Sequence, residues 1–166
     1  MITITTATVD DLKTIADIAQ ITWPITYGEI LSEAQLNYML NAFYSEESLQ
    51  ANINNGHEFI LALEEGAALG FASFEHQYQN RAATKIHKIY MLPESQGKGI
   101  GKLLVNAIAQ FAKENNAKVL ILNVNRFNKA LGFYEKMGFS IVEEIDIEIG
   151  QGYLMEDYVM EKNLIN

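Results

Sequence analysis

Apolar positions along the chain change period several times, and each change marks an element. ITIT at residues 2–5 alternates as a short strand. Thr8-Val-Asp-Asp11 then reads as a capping box, with Leu12, Ile15, Ala16 and Ala19 following at helical spacing. Two further helical patterns start behind Ser32 (EAQLNYML) and Ser45 (EESLQANI). Between the first two helices TWPITYGE, rich in aromatics, reads as a connection. Both prolines, Pro24 and Pro93, are thereby placed between elements.

The middle of the chain turns to strands. HEFILALEE and GAALGFASFEH are joined by a turn near Glu65-Gly66, and ATKIHKIYML ends at Pro93. A helix follows with its apolar stripe on Ile100, Leu103, Leu104, Ala107, Ile108 and Phe111. AKVLILNVN is a near-continuous apolar run, the pattern of a strand covered on both faces. A shorter helix is expected over Asn128–Met137, then a hairpin of FSIVEEIDIEI and YLMEDYVME around Gly150-Gln-Gly152. The fold class is α/β, with a strand–loop–helix–strand unit at its centre whose crossover joins parallel neighbours. Residues 1–166 make one domain, long enough to bury roughly two-thirds of its unfolded surface.

Composition narrows the chemistry. With no cysteine, disulfides, thiolate metal sites and cysteine nucleophiles are excluded. His57, His76 and His87 share no metal-ligand spacing, so no metal is expected. A net charge of −9 argues against nucleic acid as a partner. The N-terminus has no export signal, and no apolar run is long enough to span a membrane, so a cytoplasmic protein is the plain reading. The charge is uneven: Arg81, Lys85, Lys88, Lys98 and Lys102 face one acid, Glu94, over residues 81–102, whereas Glu143 to Glu161 carries acids alone. A basic middle suits an anionic ligand, and an acidic end suits a cationic one.

The loop Gln96-Gly97-Lys98-Gly99-Ile100-Gly101 sits between a strand and a helix. Free N–H groups at a helix N-terminus, approached without any Cβ, bind oxyanions, and Lys98 and Lys102 add charge. Its spacing departs from the dinucleotide and nucleoside-triphosphate fingerprints, and the ribose-binding acid expected beyond a dinucleotide loop is missing. A diphosphate is expected, but not that of NAD.

Ile89 to Gly101 resembles the signature of the GCN5-related N-acetyltransferases, and Asn128-Lys-Ala-Leu-Gly-Phe-Tyr-Glu-Lys-Met-Gly-Phe139 resembles that family's second signature. The resemblance implies a mostly antiparallel mixed sheet that splays around coenzyme A, with acetyl-CoA as cosubstrate. Gln96 to Lys102 would hold the diphosphate, and the backbone of Met91 and Leu92 the pantetheine arm. The Met91 N–H would polarise the thioester carbonyl. Asn128 and Lys136 match positions near the cofactor, and Tyr134 matches the general acid. His87 is the expected base, on one strand face with Lys85 and Ile89 if alternation holds, with Glu29, Glu75 and bulk water as alternatives.

The acceptor would be a primary amine, with weak similarity over residues 22–40 to bacterial enzymes that acetylate polyamines. The pocket would be shaped by Trp23–Glu29 and Glu148–Asp157, and an aromatic connection could also hold a cation. A peptide N-terminal acetyltransferase and a non-catalytic acyl-CoA-binding regulatory module are the alternatives. Family members are often homodimers.

Overall fold

In chain order the computed structural model, which describes residues 1–165, runs β1 (Ile2–Thr6), α1 (Leu12–Tyr27), α2 (Glu33–Tyr44), α3 (Glu46–Asn54), β2 (Glu58–Glu64) and β3 (Ala67–Glu75). It continues through β4 (Ala83–Met91), α4 (Ile100–Glu114), β5 (Val119–Asn125), α5 (Leu131–Lys136), β6 (Ser140–Glu148) and β7 (Leu154–Asn163). The seven strands form one sheet in the order β1-β2-β3-β4-β5-β7-β6. Only β4 and β5 pair in parallel, across the α4 crossover. The closing hairpin enters with β7 inside, so β6 forms the edge.

Two cores lie on opposite faces of the sheet. Helix α4 buries Ile100, Leu104, Val105 and Ile108 against Ile60, Ala72, Ile86 and Leu122. Helices α1 to α3 bury Ile15, Trp23, Leu36, Leu40 and Leu49 against Phe59, Leu61 and Phe71. Central strands with both faces covered explain the apolar runs in their sequences. Among the described residues no helix is long and apolar enough to cross a membrane.

The first helix corrects the sequence reading. TWPIT does not leave the helix: α1 runs through Pro24 to Tyr27. Proline removes one backbone donor and strains the preceding turn. Here Trp23 and Tyr27, four residues apart, are both buried in the helical core, and that burial holds the last turn in helical form. The shorter α5 departs in the other direction. Asn128 and its neighbours form a turn in which Asn128 Oδ1 accepts from the Ala130 N–H at 2.9 Å, and the helix starts only at Leu131.

Strand β4 also breaks its expected alternation. Ser73 of β3 pairs with Lys88, but the next residue, Phe74, pairs with Ile86, leaving His87 as the extra residue of a β-bulge. Ile86 and Ile89 therefore share the α4 face, whereas Tyr90 and Leu92 face the helices α1 to α3. The expected common face of His87 and Ile89 is lost. A bulge re-aims side chains, and this one lies where the sheet opens.

Candidate active site

The parallel pairing of β4 with β5 covers only Ala83–Ile86 against Val119–Leu122. Beyond Ile86 the strands part, and a cavity of about 520 Å³ opens between them. Successive amides of a strand point to opposite edges. The Leu92 N–H donates to Leu69 of β3 at 2.8 Å, so the Met91 N–H faces the open edge. The Leu92 carbonyl is also engaged, accepting from the Ser95 N–H at 3.0 Å and its hydroxyl at 2.6 Å. The two neighbours thus differ: Met91 offers a free backbone donor to the cleft and Leu92 does not.

The glycine loop forms the floor. Gly97 and Gly99 have φ of +83° and +70°, where a side chain would strain the backbone. Gly99 is the N-cap of α4 and supplies no side-chain cap, so the helix begins with its amides open toward the cavity. Gly101 is needed for space: a Cβ there would lie 3.1 Å from Phe133 Cζ and 3.3 Å from Met91 Cε. Gln96, Gly97, Gly99, Ile100, Gly101 and Lys102 line the cavity. Lys98 instead turns to Glu64, 2.5 Å away at the end of β2, and Lys136 is exposed; neither lines the cavity. The positive dipole end of α4 and Lys102 supply the attraction for an anion at this floor.

Tyr134, on α5, is buried at the wall of the cavity against Phe133 and Phe139. Burial pushes its hydroxyl above the usual phenol range, with the neighbouring Tyr27 adding to the effect, so the group stays protonated. Asn128 lines the same cavity.

A second cavity, of about 220 Å³, lies on the helical side of the sheet. Trp23, Tyr27, Gln35, Tyr44, Met155 and Asp157 are among its walls. Helix α2 closes it by gripping the β6–β7 hairpin: Tyr38 donates to the Ile149 carbonyl at 2.6 Å and Gln35 to the Leu154 carbonyl at 2.8 Å. Asp157 is the carboxylate within it, only 3% exposed. Burial pushes its pKa up, resisted by Asn123 and by the charges of Lys85 and Arg126. Lys85 donates to Asn123 Oδ1 at 2.7 Å, and burial lowers its pKa. Arg126, just after β5, pairs with three carboxylates of the hairpin, Asp146 at 2.5 Å, Glu144 at 3.4 Å and Glu156 at 3.9 Å.

His87 lines both cavities. Its ring stacks on His57 with centroids 4.0 Å apart and planes 3° from parallel, although the sequence placed the histidines apart. Glu75 Oε1 lies 2.9 Å from His87 Nε2 and 3.4 Å from His57 Nε2. A carboxylate only accepts, so Nε2 of His87 carries the proton and Nδ1 is the free acceptor. Burial, then the charges of His57, Lys85 and Lys88, push the His87 pKa down to about 3. His57, Glu75 and His87 are the group able to offer three metal ligands among the described residues, with ligand atoms within 4.8 Å of one another. Parallel rings direct their in-plane lone pairs side by side, so an ion would require the rings to open; the His87–Glu75 hydrogen bond, the ring stacking and the nearby His57 Nε2 describe the cluster as it stands. Glu29 is exposed and lines neither cavity.

Asp157, Asn123, Lys88 and His57 escaped the sequence reading as individual site residues. A signal existed for one of them: Asn123 alternates with the apolar Leu122 and Val124 on a strand whose neighbours are covered, and a polar residue inside such a run needs a partner.

A strand edge that gives one free amide to a cleft, above an anion-binding helix end, suits an enzyme that takes an acyl group from a coenzyme A thioester. Residues 13–139 match the model of the acetyltransferase (GNAT) family, and the chain belongs to that family. The N-acetyltransferase YuaI of Bacillus subtilis is 30% identical over 158 residues, covering 94% of this chain and 90% of the relative. Spermidine N(1)-acetyltransferase of Thermoplasma acidophilum is 29% identical over 154 residues, with 89% and 91% covered. The crystal structure of PaiA N-acetyltransferase from Thermoplasma acidophilum in complex with coenzyme A superposes with a TM-score of 0.81 at 27% identity, covering 98% of this chain and 99% of that one. The protein is an acetyl-CoA-dependent acyltransferase.

Proposed function

We propose that the protein transfers the acetyl group of acetyl-CoA directly to a primary amine of a small polyamine-like acceptor, within a ternary complex. The observation that carries this reading is the meeting of two cavities at one point of the splayed sheet. Tyr27, His87, Lys88, Tyr90 and Asn123 line both, so a thioester in one faces an amine in the other.

Each group has a task that its position supports. The open amides at the start of α4 hold the diphosphate, and the Met91 N–H polarises the thioester carbonyl as a single oxyanion donor. The Tyr134 hydroxyl, kept protonated by burial, donates to the leaving sulfur. The amine arrives as an ammonium ion and must lose a proton, at an expense of about 4–5 kcal/mol for a lysine-like amine at pH 7. A lone His87 with its depressed pKa is a weak sink. Joined to Glu75 it forms a relay: Nδ1 takes the proton while the Nε2 proton passes to the carboxylate.

Asp157 favours an acceptor with a second cationic centre, because a buried carboxylate needs a positive partner. The acids of the hairpin exceed the charge of Arg126 and attract such a molecule. The similarity to a spermidine N(1)-acetyltransferase over most of both chains points the same way.

The test is a thiol-release screen with acetyl-CoA over polyamines, amino acids, aminoglycosides and short peptides. Polyamines are expected to give the highest kcat/KM. Preference for peptide N-termini would replace the acceptor assignment, and tight acetyl-CoA binding with no turnover on any amine would favour a binding module.

A further inference from the structure

Of the five side chains that line both cavities, Lys88 alone carries an amine, the functional group this cleft acylates. The bulge at His87 turns Lys88 onto the helical side of the sheet, where its Nζ lies 5.2 Å from the centre of the Tyr44 ring. Lys85, which is buried where Lys88 is half-buried, is held by Asn123 and lines neither cavity. Lys98 and Lys13 are engaged by Glu64 and Asp17. Lys88 has only an aromatic face beneath it and no charged partner among the described residues.

We propose that Lys88 is a self-acetylation site: with no acceptor amine present, its Nζ attacks the carbonyl carbon of bound acetyl-CoA. The N–C bond forms, the C–S bond breaks, and coenzyme A leaves as the thiol with one proton from Nζ, leaving N-acetyl-lysine. The inference rests on the acetyl-CoA reading of the larger cavity.

The electrostatics favour the step. Burial lowers the Lys88 pKa to about 8. Near pH 7 about a tenth of such a group is the free amine, against less than about a thousandth of an ordinary lysine. The acetylated side chain would be neutral and would stand at the entrance to the acceptor cavity.

The experiment incubates the native protein with acetyl-CoA and no amine, followed by intact-mass measurement and peptide mapping, while calorimetry on the same sample measures acetyl-CoA binding. One added acetyl group is expected, at Lys88, forming on the order of tenfold or more faster than at the exposed Lys13. Excess coenzyme A should suppress it, heat-unfolded protein should lose the preference, and Lys88→Arg should lack it. Acetylation of Lys13 and Lys88 at equal rates, or equal labelling of Lys88→Arg and wild type, would overturn the inference. Binding of acetyl-CoA without label at Lys88 defeats this inference alone, whereas absence of binding defeats the reading on which it rests.

Discussion

The hydroxyls of Tyr27 and Tyr90 lie 2.9 Å apart and tie the last turn of α1 to strand β4 where the two cavities meet. Burial pushes both phenols above their usual range, so both remain hydroxyls and one donates to the other. Tyr27→Phe leaves Tyr90 without that partner. The expected loss is about 1–3 kcal/mol of stability by denaturant unfolding, the range for a buried polar group left unpaired. Because both rings wall both cavities, KM should rise for the amine and for acetyl-CoA alike.

Tyr134→Phe removes the donor and keeps the ring packed on Phe133 and Phe139. Coenzyme A affinity by calorimetry should be unchanged, while kcat falls by about 10²–10⁴-fold, the usual contribution of a positioned acid. An unchanged kcat would assign the thiolate's proton to solvent.

Gly99 and Gly101 fail for different reasons when replaced by Ala. A Cβ at Gly99 meets open space, so Gly99→Ala is opposed only by its positive φ, about 1–2 kcal/mol. Its effect should fall on stability and on coenzyme A affinity. Gly101→Ala pushes on Phe133 and Met91, next to the free amide and the proton donor, and should lower kcat. Calorimetry beside steady-state kinetics separates the two.

His87 sets a pH dependence of stability. Its folded pKa, pushed down to about 3, lies below the ordinary value of 6.5. Between these values the unfolded chain binds a proton that the folded one refuses, so stability falls as the pH drops from about 6.5 toward 3. His87→Gln should flatten that part of the urea-unfolding profile. A profile identical to wild type would show that His87 titrates alike in both states.

Much of this was legible in the sequence for a physical reason: α4 carries a strong helical period, β5 a near-continuous apolar run, and the glycine loop needs its residue types locally. What was illegible depends on tertiary partners. Pro24 reads as a helix stop until the burial of Trp23 and Tyr27 is known. The bulge at His87 is set by pairing with β3, and no local residue announces it. Lys98 looks like a phosphate ligand beside its glycines, yet Glu64, distant in sequence, holds it. His57 and His87 meet only because β2, β3 and β4 are neighbours. Asp157 closed a stretch expected to shape the pocket, but only its pairing opposite Asn125 singles it out, at the wall of the smaller cavity.

The central claim is direct transfer between two substrates held together at the junction of the cavities. Initial rates of thiol release, with acetyl-CoA and the best amine of the screen both varied, test it most directly. Intersecting reciprocal plots, with one acetylated amine formed per thiol released, are the predicted result. Parallel plots, with thiol released at full rate before any amine is added, would contradict it.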